Sequence, residues 1–519
     1  MVMCATSVSN AQPLRPPQYL ETPEGEKPRV VITADPELDE SNSLVRLLLY
    51  STDFEIEGLV YASSSIHWKG DGKGTLFSVP GREYFRFGLN LCPCASWRWA
   101  PDERFIEDAV AAYGQAYPNL KVHHPDYPTP EYLKSKIFWG NVQFDGEMER
   151  DTDGSNLIKT LLLDDRESPV YLHAWGGQST IARALKSIEE QFRGTAQWAA
   201  IRAKVVRKAV IHPSFDQDDT YAKYIKPNWP DIRYRELAGG VVITYNSQAT
   251  VSEDDARYLS ADWIAANAAN RGPLGAHLRL WGDGKQMVPG DRFDYFGIAG
   301  KTAAQLKQEG YIVWTPPRPE GDYIGEGDTG TFLNLLDNGL RGYRGDSFGG
   351  WGGHAMTQAD REDMERTFAA FAATAANPEA APPIVRAPTH PFFAPAQRDW
   401  AARLKWSAMP TYAGANHNPV ITMGQARSIK ARSGQTIRLS AHASDPDGDR
   451  VRLHWWVWKA AGSFGGQAAL RHPNGPSTSL LVPRDSKPGD TIHVIVEATD
   501  NGAPALTRYG QIVITVSPT

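Results

Sequence analysis

Six consecutive positions, Asp35-Pro36-Glu37-Leu38-Asp39-Glu40, hold four carboxylates. Acids this close repel one another unless they are solvated, protonated or bridged by a cation. A hard ion such as Ca²⁺ gathers about six to eight oxygen ligands, and this run could supply several of them. A solvated acidic helix start, capped by Ser41 or Asn42, accounts for the same residues, because Asp and Glu are ordinary there. A second acidic turn, Gly325-Glu326-Gly327-Asp328-Thr329, precedes the apolar Phe332, Leu333, Leu335 and Leu336 far along the chain, and in isolation Asp328 reads as a helix cap. Polar and ring-bearing residues cluster at four further places: Ser63 to Trp68, which includes His67; Trp175-Gly176-Gly177-Gln178; Asp216-Gln217-Asp218-Asp219; and Gly349-Gly350-Trp351-Gly352-Gly353. Glycines on both sides of Trp351 suggest a ring exposed on a flexible loop.

These clusters fall where strands end. The apolar run Val30 to Ile32 reads as a buried parallel strand, and Leu44, Val45, Leu47 and Leu48 recur at helical spacing after the acids. That places the four acids on a loop at the C-terminal end of a strand, the edge at which open α/β sheets bind ligands. Glu55 to Ala62, Pro169 to Ala174, Val205 to Ile211 and Val241 to Thr244 read as further strands. Helices are expected over Trp97 to Tyr117, over Glu131 to Trp139, from Asp153 or Ser155 to Leu163, and after Thr180. Lys69 to Cys94 shows no clean period and reads as a long loop or lid. Alternating strands and helices predict an α/β domain with a mostly parallel sheet flanked by helices.

The chain of 519 residues exceeds one compact core. Its formal charge of −6 and the lack of any basic block argue against nucleic acid, and no apolar run is long enough for a bilayer. Cys92 and Cys94 lie two residues apart, poor spacing for a mutual disulfide, and read as small packed residues. Ser9-Asn10-Ala11 before Gln12 looks like a signal-peptidase site, so residues 1–25 read as an export-signal remnant or a disordered tail, and a secreted or periplasmic protein is expected. Residues 26–375 form the large domain, and the Ala- and Pro-rich span 376–415 reads as a surface connector. From 416 to 519 short alternating strands separated by turns such as Asp445-Pro446-Asp447-Gly448-Asp449 predict an immunoglobulin-like β-sandwich. That turn reads as a plain turn or a Ca²⁺ site. Trp456 and Trp458 fall on the face opposite the sandwich core, either as a sugar-stacking platform or covered by the large domain.

The run Asp35 to Glu40 resembles the D-x-D-P-G-x-D-D signature of inosine–uridine nucleoside hydrolases. With Leu44 to Tyr50, Ser64 to Trp68, Trp175-Gly176-Gly177, Asp216 to Asp219, Gly272-Pro273-Leu274-Gly275, Glu326 to Thr329, Gly350 to Gly353 and the sandwich tail, the chain resembles more closely the nucleoside-hydrolase-like "cellulose-binding" family. The resemblance implies a Ca²⁺ held by Asp35, Asp39, Glu40 and Asp328, close to the backbone carbonyl of Trp175, with Asp35 as general base. This chain departs from the signature at Thr33, Glu37 and Glu40.

These readings lead to a glycoside hydrolase in which Asp35 deprotonates a Ca²⁺-bound water, Asp39 is a further catalytic residue, and Asp218, Asp219, Glu326 or His67 protonates the leaving group. Contacts to a carbohydrate substrate fall to His67, Trp68, Trp175, Gln217 and Trp351. A non-catalytic polysaccharide-binding protein and a nucleoside hydrolase are the alternatives, and a homodimer is left open.

Overall fold

The computed structural model describes residues 18–23, 25–344, 348–376 and 386–518. The expected signal remnant falls largely within residues 1–17, and part of the expected connector within 377–385; both stretches lie outside the described residues.

Six parallel strands form the central sheet: β1 (Arg29–Ala34), β2 (Glu55–Tyr61), β3 (Ile137–Trp139), β4 (Val170–Ala174), β5 (Ala209–Pro213) and β6 (Arg233–Tyr234). They lie in the order β3-β2-β1-β4-β5-β6. Both neighbours of β1 run parallel to it, β2 on one side and β4 on the other. The strand order therefore reverses between β1 and β4, the switch point where a crevice opens beyond the carboxyl ends. Every residue of β1 is buried, as a central parallel strand covered on both faces requires.

Helix α1 (Leu38–Leu49) follows β1, and α2 (Phe105–His123), α3 (Pro130–Lys134), α4 (Asp153–Leu163), α5 (Ser179–Phe192) and α6 (Trp198–Lys208) cover the sheet. Several boundaries differ from expectation. Helix α1 begins at Leu38 with Glu37 at its N-cap, so Asp39 and Glu40 sit in the first helical turn rather than on a loop. Asn42 does not cap; its amide donates to the carbonyls of Arg279 and Gly325. Val205 to Lys208 finish α6, because Val205 and Val206 pack on its buried face, and the strand starts only at Ala209. Residues 137–139 are strand, not helix, since they pair with β2. Helix α4 is capped by Thr152 in a capping box with Ser155. Val241 to Thr244 is no strand; Ile243 makes one isolated bridge, to Glu326.

The span expected as a surface connector contains the helix Phe393–Ala408, whose Trp400 and Leu404 are fully buried in the core of the large domain. Cys92 and Cys94, expected as separate thiols, are joined in a disulfide, because the chain turns at Pro93 and brings their Cα atoms to 4.7 Å. A small ladder of β7 (Leu237–Ala238) and β8 (His354–Ala355) completes the large domain.

The C-terminal β-sandwich pairs β10 (Ser428–Ala431), β16 (Thr507–Val516), β15 (Thr491–Thr499) and β12 (Arg452–Val457) in one sheet. The other sheet holds β13 (Leu470–Arg471), β14 (Ser477–Leu481), β11 (Thr436–Ser444) and β9 (Val420–Met423). Its core gathers the alternating Ile437, Leu439, Trp455, Val494 and Val496. Of the two readings for Trp456 and Trp458, the structure takes the covered one. Phe392 of the large domain lies 5.7 Å from Trp456 and 5.0 Å from Trp458, ring centre to ring centre. Among the described residues no helix is long and apolar enough to cross a membrane.

Candidate functional site

The end of β1 delivers Asp35 to the switch point with no exposed surface. Its Oδ2 accepts from Ser64 Oγ at 2.5 Å and faces His67 Nδ1 at 3.0 Å. Both partners come from the turn after β2, where Ser64 Oγ also takes the amides of Ile66 and His67. Asp35 Oδ1 is buried, and among the described residues no hydrogen-bond donor reaches it. The Gly176 backbone passes so near that a Cβ there would lie 2.5 Å from Asp35 Oδ1, which is why the strand-to-helix turn after β4 needs glycine.

The second acidic turn folds onto the first. Gly327 N donates to Asp39 Oδ2 at 2.9 Å, across 288 positions of chain. Tyr245 Oη donates to Asp39 Oδ1 at 2.7 Å and lies 3.2 Å from Glu37 Oε1. Ligand atoms of Asp35, Glu37 and His67 lie within 4.8 Å of one another, and so do those of Glu37, Asp39 and Glu40. Glu37 belongs to both groups and is the hub of the cluster. It stands where the hydrolase signature has glycine, so the motif comparison assigns it no role, although it lies inside the acidic run. Ser64 and Tyr245 carry no sequence signal of their own, since a lone hydroxyl gains meaning only from what it faces.

Asp328, in the turn Gly327–Thr331, is buried and feels the charges of Asp39 and Asp35. Burial, followed by the charge of Asp39, pushes its carboxyl well above the usual range. Glu40 is pushed well above by burial and by Asp328 and Asp35, and Glu37 by burial and by Asp39 and Asp35. Burial also raises Asp39, against the bond from Tyr245. Asp35 moves the other way: burial raises it, but His67 and Ser64 together outweigh that and hold it low. Without a cation, burial and mutual repulsion thus favour the neutral form of Glu37, Glu40 and Asp328, and the contacts of His67 and Ser64 favour the ionised form of Asp35. Glu40 Oε2, like Asp35 Oδ1, is buried with no donor within reach among the described residues. Orphaned carboxylate oxygens in an all-oxygen cluster beside one imidazole fit a hard cation such as Ca²⁺. Thr33 adds nothing to the set, because its hydroxyl donates to the His173 carbonyl.

The other expected site residues have different work. Asp218 accepts the amides of Ser179 and Thr220, one on each carboxylate oxygen, and so caps the start of α5. A Cβ on Gly177 would lie 2.3 Å from Asp218 Oδ2. Asp219 pairs with Arg82 and Lys223. Glu326 is wholly buried in a two-pronged ion pair with Arg46 and also accepts from Thr329 Oγ1. Gln217 donates to the carbonyl of Trp175 at 2.6 Å, so that carbonyl is engaged by the protein itself. Three expected sugar-stacking rings are buried instead. Trp68 packs edge-on against Phe77, Trp175 donates its indole N–H to Thr331, and Trp351 donates to Tyr509 of the sandwich. All three have no exposed surface.

A parallel sheet in this order, with clustered carboxylates at the strand-order reversal, defines a nucleoside-hydrolase-like α/β protein with an appended β-sandwich. Residues 29–354 match the family described as "Cellulose-binding Sde182, nucleoside hydrolase-like domain". Residues 436–516 match "Cellulose-binding protein Sde0182, C-terminal domain". The chain belongs to the Sde182 nucleoside-hydrolase-like family. A nucleoside hydrolase-related hypothetical protein from Saccharophagus degradans, associated with carbohydrate metabolism, shares this fold. It is 23% identical, with a TM-score of 0.64 over 95% of this chain and 100% of that one. The fibronectin(III)-like modules of Clostridium thermocellum CbhA are 17% identical over 19% of this chain and 47% of that one, and their TM-score of 0.14 carries no argument. No curated protein matches the chain.

Proposed function

We propose that this protein binds a polysaccharide, with cellulose as the first candidate, on a hydrolase-type scaffold that keeps a cation-binding acidic centre but does not cleave glycosidic bonds. The observation that carries this reading is the engagement of three of the four expected leaving-group acids, His67 being the fourth. Asp218 is held by two backbone amides, Asp219 by Arg82 and Lys223, and Glu326 by Arg46. General acid catalysis needs a carboxyl free to give its proton to the departing oxygen. The family description "cellulose-binding" points the same way. The Cys92–Cys94 disulfide supports an oxidising, exported setting.

Asp35, Glu37, Asp39, Glu40 and Asp328 would hold Ca²⁺. When bound, the ion supplies a hard Lewis-acid centre able to take hydroxyl oxygens as ligands. His67 and Ser64 keep Asp35 ionised, and Tyr245 fixes Asp39 and Glu37 in place.

Glycoside hydrolysis is the second reading, favoured by the contact between Asp35 and His67, a carboxylate and an imidazole poised at the switch point. Retention on insoluble cellulose, and turnover of a panel of aryl glycosides and nucleosides with and without chelator, separate the two. Retention without turnover is expected. Turnover that disappears in Asp35→Asn refutes the non-catalytic reading, and failure to be retained on any polysaccharide refutes binding.

A further inference from the structure

If the protein holds a polysaccharide, the buried centre and the buried tryptophans offer an extended chain no open face. A recess lies elsewhere, with a volume of about 890 Å³, within the range of roughly 300–1,000 Å³ usual for ligand sites. It lies at the start of β1 and β2, where Lys27, Glu55 and Ile56 line it, whereas the acidic centre lies past their ends. The six residues of β1 separate the two by roughly 20 Å.

We propose that this recess is a glycan-binding groove for a neutral β-glucan chain, a proposal that rests on the polysaccharide reading above. Phe54 and Tyr127 form its floor, both nearly fully buried, with Tyr127 Oη donating to the Leu49 carbonyl. Tyr117 on α2 and Tyr132 on α3 also line it and are half-buried; Lys121 Nζ stands 5.5 Å from the Tyr117 ring centre and Lys136 Nζ 5.0 Å from that of Tyr132, leaving the opposite face of each ring for a sugar. Flat ring faces take the C–H face of a pyranose, while its equatorial hydroxyls need donors and acceptors around the rim.

The rim supplies both in equal number: three cations, Lys27, Lys121 and Arg166, and three carboxylates, Glu26, Glu55 and Asp126. Two pairs are already closed, Lys27 with Asp126 at 3.0 Å and Arg166 with Glu55 at 2.6 Å. A lining whose charges cancel selects neither a phosphate nor an acidic or basic peptide, and fits an uncharged polyhydroxyl chain. A protein partner would call for exposed aliphatic or aromatic anchors. Among the described residues none of the exposed large apolar side chains lines the recess.

The test uses the full chain and cellohexaose, followed by calorimetry and by retention on insoluble cellulose. Tyr117→Ala should weaken cellohexaose about tenfold, while Tyr412→Ala, an exposed ring on another surface, should bind as wild type does. In wild type, cellohexaose should slow amide exchange in residues 51–56 and 117–132, a readout that needs no variant to fold. Wild-type affinity in Tyr117→Ala, or protection confined to residues 35–40 and 326–328, overturns the groove and leaves polysaccharide binding standing. A wild-type protein that binds neither cellohexaose nor cellulose overturns both.

Discussion

Replacing Glu40 by Gln should make the cation-free protein more stable, although Glu40 is almost fully buried. Burial and the charges of Asp328 and Asp35 push its carboxyl well above its ordinary 4.5. A carboxyl kept protonated at pH 7 in the fold, but ionised in the unfolded chain, costs up to about 3.4 kcal/mol, at about 1.4 kcal/mol per pH unit. The amide of Glu40→Gln is neutral at every pH and can still donate to Asp35 or Asp39, so it removes that cost while nearly keeping the shape. Because the folded pKa is raised, the stabilising effect of the neutral carboxyl is complete below 4.5 and lost as pH rises through the folded value. Urea unfolding in excess chelator should therefore show wild type gaining stability from pH 7 to pH 5.5 and Glu40→Gln gaining less. At pH 7 the variant should be the more stable by about 1–3 kcal/mol. Excess Ca²⁺ should then stabilise wild type more than the variant, because a ligand that binds only the folded state adds to its stability. A variant less stable than wild type in chelator at pH 7, or one with the same pH slope, would refute the reasoning.

Arg46→Met should destabilise by about 3–5 kcal/mol in urea unfolding, because it strands the buried Glu326; adding Glu326→Gln should recover much of that loss. His173 and His212 are buried, and burial drives both imidazoles down, His212 to about 3. Their depressed values mean that the unfolded chain takes up protons first, so stability should fall as pH drops below 6.5, by about 2 kcal/mol per histidine at pH 5. Among the described residues neither ring nitrogen of His173 has a hydrogen-bond partner, so His173→Leu should flatten that slope without lowering stability at pH 7.5. Trp351→Phe removes the bond to Tyr509 and should cost about 1 kcal/mol in thermal unfolding, while leaving retention on cellulose unchanged.

The β1–α1 unit was legible because two periodicities meet there, an apolar run and then helical spacing, with the acids between them. The sandwich was legible for the same reason, since strict alternation over Ile437, Leu439 and Ala441 admits one buried face. The tryptophans were not. A ring that stacks on a sugar and a ring that fills a core have the same neighbours in sequence, and only burial separates them. Glycines around Trp351 looked like flexibility, yet they allow backbones to touch: a Cβ on Gly353 would lie 2.1 Å from the Ala238 carbonyl, and one on Gly240 would lie 2.3 Å from Gly352. Asp218 and Glu326 were misleading for a related reason. A carboxylate beside a glycine turn serves equally as cap, ion-pair member or acid, and the choice between those roles depends on residues far away, such as Arg46.

Those far partners also explain why the acidic centre stands apart from the rest of the interior. Elsewhere this fold answers several buried acids with cations of its own: Asp399 lies between Arg403 and Arg508, Glu57 meets Arg29, Asp145 meets Arg82, and Glu326 meets Arg46, while Asp218 is met by backbone amides. Among the described residues, no lysine or arginine pairs with Asp35, Glu37, Asp39, Glu40 or Asp328. Arg98 lowers Glu37 only by its charge, and its guanidinium is bound to Glu83 and Asp291. His67 pairs with Asp35. A chain that pairs several of its interior charges, yet gathers carboxylates without such partners at the switch point of its sheet, has there the arrangement that the proposed cation would complete.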